Sequence, residues 1–193
     1  MRVTSLIFLF VFAGLCGAAG AAGTPVRVCY DYDCMREATA EIDAATIERL
    51  GASLGEATDA GGERARIAHA VADLYVAVGR QTPVWRDRGG NFDDDRDQPG
   101  AMDCIDHSTN TTAFLQLLEG AGLLRFHRVA PPLRRSKFWI VHHWTARVVE
   151  IEFGAEFAVD SWFFDPGVPA VIMPIAEWRA GGKPGRSVEA KLQ

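Results

Sequence analysis

Partway along the chain the apolar side chains change period, and that change dictates what the chain can fold into. Ile67, Val71, Leu74, Tyr75 and Val78 recur at the spacing of one helix face. Over 138–153, and again over 157–164, the pattern shifts to period two and is rich in Trp, Ile, Val and Phe, as in strands. Helices first and strands last predict an α+β fold, with N-terminal helices packed on an antiparallel sheet. Helices are expected over 35–50 and 63–78. A short strand is expected over 124–129, then a turn at Pro131-Pro132, then a hairpin turning at Gly154.

The 193 residues carry a formal net charge of -5, with 48% apolar and 23% charged side chains. That balance suits one folded globular domain and not a disordered chain. It also argues against a nucleic-acid partner, which needs concentrated Lys and Arg. The start of the chain stands apart: Arg2, an apolar run over 6–15, then small residues over 17–23. A run of about ten residues suits an export signal but is too short to span roughly 30 Å of bilayer. The expected organisation is an export segment over 1–23, a single domain over 24–180, and a flexible tail over 181–193. A periplasmic or secreted location follows, with no membrane span after cleavage. A lipid anchor on Cys16 is not expected, because Leu15 and not a small residue precedes it.

Export makes the cysteines informative, since disulfides persist outside the cytoplasm. Cys29 and Cys34 lie five residues apart, a spacing that a turn can close, and are expected to pair. Cys104 is then left without a partner. The segment before it, over 79–100, contains Gly, Pro and the acidic run 93–97 and reads as an exposed loop. Its acid spacing lacks the closing Glu of a calcium loop. Asp103 and the Ser, Thr and Asn residues after Cys104 favour a helix entrance, and the apolar block 113–118 continues to a Gly stop at 120–122. A thiol at a helix N-terminus faces free N–H groups that favour its thiolate.

His142-His143-Trp144 and Asp160-Ser161-Trp162 fall on the two expected hairpin strands. A thiol nucleophile needs a base, and the base needs a group to fix its tautomer and aim its ring. Cys104, His143 and Asp160 supply these in chain order, with His142 as the alternative base because neighbouring strand residues face opposite sides. Counting back from a turn at Gly154 sets Asp160 opposite Val148 and not opposite either histidine, so this pairing needs a bulge or twist.

A Cys opening a helix, a His followed closely by Trp on a strand, and an Asp on the next strand, all within 100–164, resemble the transglutaminase-like branch of the papain-like cysteine hydrolases. Asp160-Ser161-Trp162 is similar to the Asn-Ser-Trp of papain-type enzymes. The resemblance implies a papain-like fold in a bacterial-type exported member. It implies Cys104 as nucleophile, the histidine as base, and Asp160 as orienter. It further implies a thiol peptidase, amidase or acyltransferase that works on peptide or protein amides through a thioester and needs no cofactor. Trp85, His107, Trp144 and Trp162 are the candidate substrate contacts. Two other readings use the same residues: a zinc site built from Cys104, His107 and His142 or His143, or a non-catalytic binding module with Trp139, Trp144, Trp162 and Trp178 in its core or on a ligand surface.

Overall fold

The computed structural model describes residues 23–91, 95–137 and 141–184; the expected export segment up to residue 22 with Cys16, residues 93 and 94 of the acidic run, residues 138–140 of the expected strand with Trp139, and most of the expected tail lie outside them. A hairpin of β1 (Thr24–Tyr30) and β2 (Arg36–Ile42) comes first. Two helices follow, α1 (Ala44–Gly55) and α2 (Ala60–Gly79). After a 3-10 turn over Pro83–Arg86 and a loop comes α3 (Cys104–Gly120). The second sheet runs β3 (His127–Lys137), β4 (Val141–Glu150), β5 (Glu156–Asp160) and β6 (Val171–Pro174), antiparallel and in that spatial order, and α4 (Ile175–Arg179) follows it. The expected α+β class is present, with the helices packed against antiparallel strands.

Several boundaries differ from the sequence-based expectation. The short strand expected over 124–129 begins at His127 and runs on to Lys137, and the strand expected over 157–164 ends at Asp160. The helix expected over 35–50 is β2 followed by α1. Ala38, Ala40 and Ile42 alternate inward, with Thr39 and Glu41 exposed between them. Asp43 then restarts the chain as a helix by accepting the Thr46 N–H at 2.6 Å. The turn expected at Pro131-Pro132 is instead a register shift inside β3, between Ala130 and Leu133, because prolines without N–H groups can occupy an irregular position in a strand.

Each of the three long helices opens on an aspartate cap. Asp59 takes the Gly62 N–H at 2.6 Å, and Asp103 takes those of Ile105 and Asp106 at 2.8 and 3.0 Å. Helix α3 ends where Gly122 adopts φ +70°, letting the Leu123 N–H reach Leu118 O and the Gly122 N–H reach Glu119 O. The expected stripe Ile67, Val71, Leu74, Tyr75 and Val78 is buried against Phe114, Leu115 and Leu118 of α3 and Ala146, Val148 and Val159 of the sheet.

Glu63 of α2 is fully buried and ties the helix to the start of β3. Its carboxylate accepts His127 Nδ1–H at 2.7 Å and the N–H groups of Arg125 and Phe126 at 2.6 and 3.0 Å. Removing such a carboxylate leaves one buried donor, on His127, and two partly buried amides without their acceptor. Glu63→Ala should therefore destabilise the protein by about 3 kcal/mol, read from urea denaturation of the disulfide-intact chain. A loss below about 1 kcal/mol would show that water replaces the carboxylate at little cost.

Candidate active site

Four residues of the β4–β5 connection decide the geometry. Glu150 and Ala155 close the hairpin, since the Glu150 N–H reaches Ala155 O at 2.8 Å, and Gly154 is the last loop residue and not the centre. The register therefore runs Val149↔Glu156, Val148↔Phe157 and Ala146↔Val159. One step further, Asp160 comes level with Thr145, and His143 is its diagonal neighbour on the same face. No bulge is needed. The pairing that fails from a turn at Gly154 succeeds because the loop is centred between 152 and 153, which shifts the register by three residues.

The expected carboxylate–imidazole pair is formed. His143 Nε2 lies 2.7 Å from Asp160 Oδ2, and both side chains are nearly buried. Asp160 also accepts the indole N–H of Trp178 at 2.9 Å on the same oxygen and the Trp162 backbone N–H at 3.2 Å on the other. With the carboxylate accepting from Nε2–H, the neutral ring has its acceptor at Nδ1, for which no hydrogen bond is found among the described residues. Trp162, Phe163 and Trp178 surround the ring at centroid distances of 4.8, 5.9 and 5.7 Å and hold its plane.

Cys104 is the first residue of α3 and is partly exposed. Its Sγ lies 3.9 Å from His142 O and receives the Trp144 N–H, so the sulfur rests on the stretch of β4 that carries His143. Burial, with smaller contributions from Asp103 and Asp160, raises the thiol to about 11; the Trp144 N–H opposes this. Asp106, completing the capping box with Asp103, is itself raised to about 7 by burial and by Asp103.

The remaining expectations divide. Cys29 and Cys34 are disulfide-bonded. His142 points the other way, is exposed, and pairs through Nδ1 with Ser136 Oγ at 2.8 Å. Trp162 packs on the His143 ring, while Trp144 sits on the alternate face near Arg134. Trp85 is exposed and leans on Gly79 and Arg86. His107, expected as a substrate contact, is 2% exposed and bonded on both ring nitrogens, so it cannot meet a substrate from solvent. The same bonds withdraw it from a zinc site. Among the described residues the one grouping with metal-ligand spacing is Cys29, Cys34 and Asp106, and its two sulfurs are in the disulfide. Of the described residues in the acidic run, 96 and 97 are exposed as expected, while Asp95 is buried and accepts Tyr32 O–H and Asn91 Nδ2–H.

Three contributors have roles that the sequence does not indicate: Trp178, expected only as a core or ligand-surface residue, Asp87 and Ser161. Each is separated from the residue it supports by at least eighteen positions or serves through a hydroxyl that many sequences carry. Asp160-Ser161-Trp162 was the one local signal that could have pointed to Ser161.

Without a base, a thiol at about 11 is roughly one part in ten thousand thiolate at neutral pH. His143→Ala should therefore slow iodoacetamide alkylation of Cys104 at neutral pH by about tenfold or more, while His142→Ala stays within about twofold. Peptide mass spectrometry reads both rates, and equal effects would remove His143 from its special place. Comparison with protein-family models, with curated proteins and with solved structures finds no match to this chain.

Proposed function

We propose that the chain is an exported thiol hydrolase or acyltransferase of the transglutaminase-like, papain-like kind, acting on peptide amides through Cys104, His143 and Asp160. One observation carries this reading: the 2.7 Å bond from His143 Nε2 to Asp160 leaves Nδ1 as acceptor on a ring whose own strand backbone holds the Cys104 sulfur. An imidazole oriented by an acid, on the strand that supports the thiol, supplies two of the relations that a nucleophile, a base and an orienting acid require; the third, a hydrogen bond from Sγ to the ring, is not found among the described residues.

In the reaction, the Cys104 S–H proton passes to His143 Nδ1 as Sγ bonds to the amide carbonyl carbon. Asp160 stabilises the imidazolium so formed. The imidazolium then protonates the leaving nitrogen, the C–N bond breaks, and a thioester remains on Cys104. Water, losing its proton to His143, releases the acid; an amine attacking in its place gives a new amide. The C–S bond breaks and the thiol takes back the proton. Burial raises the thiol, which favours proton transfer to His143 during attack over a thiolate standing alone.

Export is part of the proposal. The Cys29–Cys34 disulfide supports an oxidising compartment, and among the described residues no helix is long and apolar enough to cross a membrane.

Incubating the chain with a pooled peptide library and a primary amine tests the chemistry. Intact-mass analysis after acid quenching should find an acyl adduct on Cys104, and the peptide pool should gain hydrolysed, deamidated or amine-coupled products. Cys104→Ala should give none. Identical product sets from the two proteins would overturn the proposal.

A further inference from the structure

Two of the three proposed catalytic residues have a neighbour in a second, hidden chain of polar groups. His107 lies one helical turn after Cys104, and Ser161 directly follows Asp160. His107 Nε2 is 2.9 Å from Asp87 Oδ2, and His107 Nδ1 is 2.9 Å from Ser161 Oγ. Thr111 Oγ1 and Tyr75 O–H reach Ser161 Oγ at 2.9 and 3.3 Å, and the Met102 N–H reaches the other oxygen of Asp87 at 2.6 Å. We propose that His107 is a positioning residue for the Cys104 thiol, the Asp87–His107–Ser161 chain fixing the start of α3 against the end of β5. The inference rests on the triad proposed above and concerns how that triad keeps its spacing.

The protons have a consistent arrangement. The Asp87 carboxylate accepts from Met102 N–H and from His107 Nε2–H, which leaves Nδ1 as acceptor for the Ser161 hydroxyl. Ser161 Oγ then accepts from Thr111 and Tyr75. Among the described residues no buried side-chain nitrogen or oxygen lacks a partner. A buried network satisfied throughout has one arrangement and resists distortion. The set superficially repeats a Ser-His-Asp nucleophile, yet Ser161 is 7% and His107 2% exposed, so no substrate carbonyl can reach the hydroxyl.

The chain also anchors to a third element. The Gly90 N–H reaches Trp162 O at 2.7 Å, and the Gly89 N–H reaches Asp165 Oδ1 at 2.9 Å. At Gly89 a Cβ would stand 2.3 Å from Phe164 Cα, so the loop carrying Asp87 lies backbone to backbone on the residues after Ser161. Asp87, the first turn of α3 and the end of β5 thus form one clamp behind the site. His143 enters from β4, outside the clamp. Slack in it would alter the distance from Cys104 to the imidazole, and displacements of about 1 Å cost on the order of a hundredfold in a reaction that depends on alignment.

The test follows iodoacetamide alkylation of Cys104 in the full chain from about pH 5 to about pH 10, with folding checked by circular dichroism. Ser161→Ala should slow the reaction about tenfold at neutral pH and move the acid limb of the profile about one unit upward. Ser161→Thr, which keeps the hydroxyl, should restore both. Thr111→Val removes a hydroxyl from the same network but touches neither nitrogen of the His107 ring, and should leave the profile in place. Should Ser161→Ala fail to fold, Asp87→Asn, which disturbs the other bond to the His107 ring, takes its place under the same criteria. The inference is overturned if Ser161→Ala keeps the wild-type profile while His143→Ala slows alkylation, or if Ser161→Ala and Thr111→Val shift it alike. If His143→Ala itself changes nothing, the triad falls and the inference with it.

Discussion

A carboxylate has been taken out of water at the end of β5, and the surrounding structure is organised around compensating it. Asp160 is 2% exposed and sits among Trp162, Trp178 and the sheet. A buried charge of this kind persists only where donors replace its hydration. Those donors come from three places in the chain: the His143 ring of β4, the Trp162 amide just past β5, and the Trp178 indole of α4. Docking of the five-residue helix α4, the β4–β5 register and the tautomer of His143 are thereby one condition and not three. Arg135 joins the arrangement from β3, lying over the Trp178 ring and bonding to its carbonyl.

The same enclosure sets the character of the sulfur. Burial and two carboxylates push the Cys104 thiol up, so the helix N-terminus and the Trp144 amide do not by themselves make a thiolate. In the proposed chemistry, reactivity belongs to the pair formed with His143 and not to the cysteine alone. Asp106, although it flanks the sulfur in sequence, is occupied elsewhere: it accepts the Asp103 and Cys34 N–H groups and closes the capping box, joining the disulfide loop to the first turn of α3.

The sequence was most legible where a local rule decides the outcome. Asp103 announces the start of α3 because its carboxylate can cap only nearby amides, and the stripe on α2 announces its buried face because helix period is a local property. The Cys29–Cys34 pairing was readable from spacing for the same reason. Alternation in β2 was missed because Ala38 and Ala40 are weakly apolar and good helix formers, so their strand identity comes from pairing with β1. The choice between His142 and His143 turned on a hairpin loop whose centre cannot be read from one glycine. Gly154 marks the residue with φ +68°, which is the last of the loop. The roles of Trp178 and Asp87 are not legible because each acts across the fold, on partners that sequence proximity does not indicate.

The irregularity in β3 has a bearing on how copies of this chain meet one another. β3 is an edge of the four-stranded sheet, and an uncovered edge offers a row of amides and carbonyls that a neighbouring molecule's strand could extend. Pro131 and Pro132 carry no N–H, which leaves a gap in the donors at mid-strand, and the regular ladder breaks there. Arg134 follows after Leu133, so a second copy approaching edge to edge would bring like charges together. The fold thus keeps a long outer strand while denying it the flat, uncharged margin from which fibrous stacking begins.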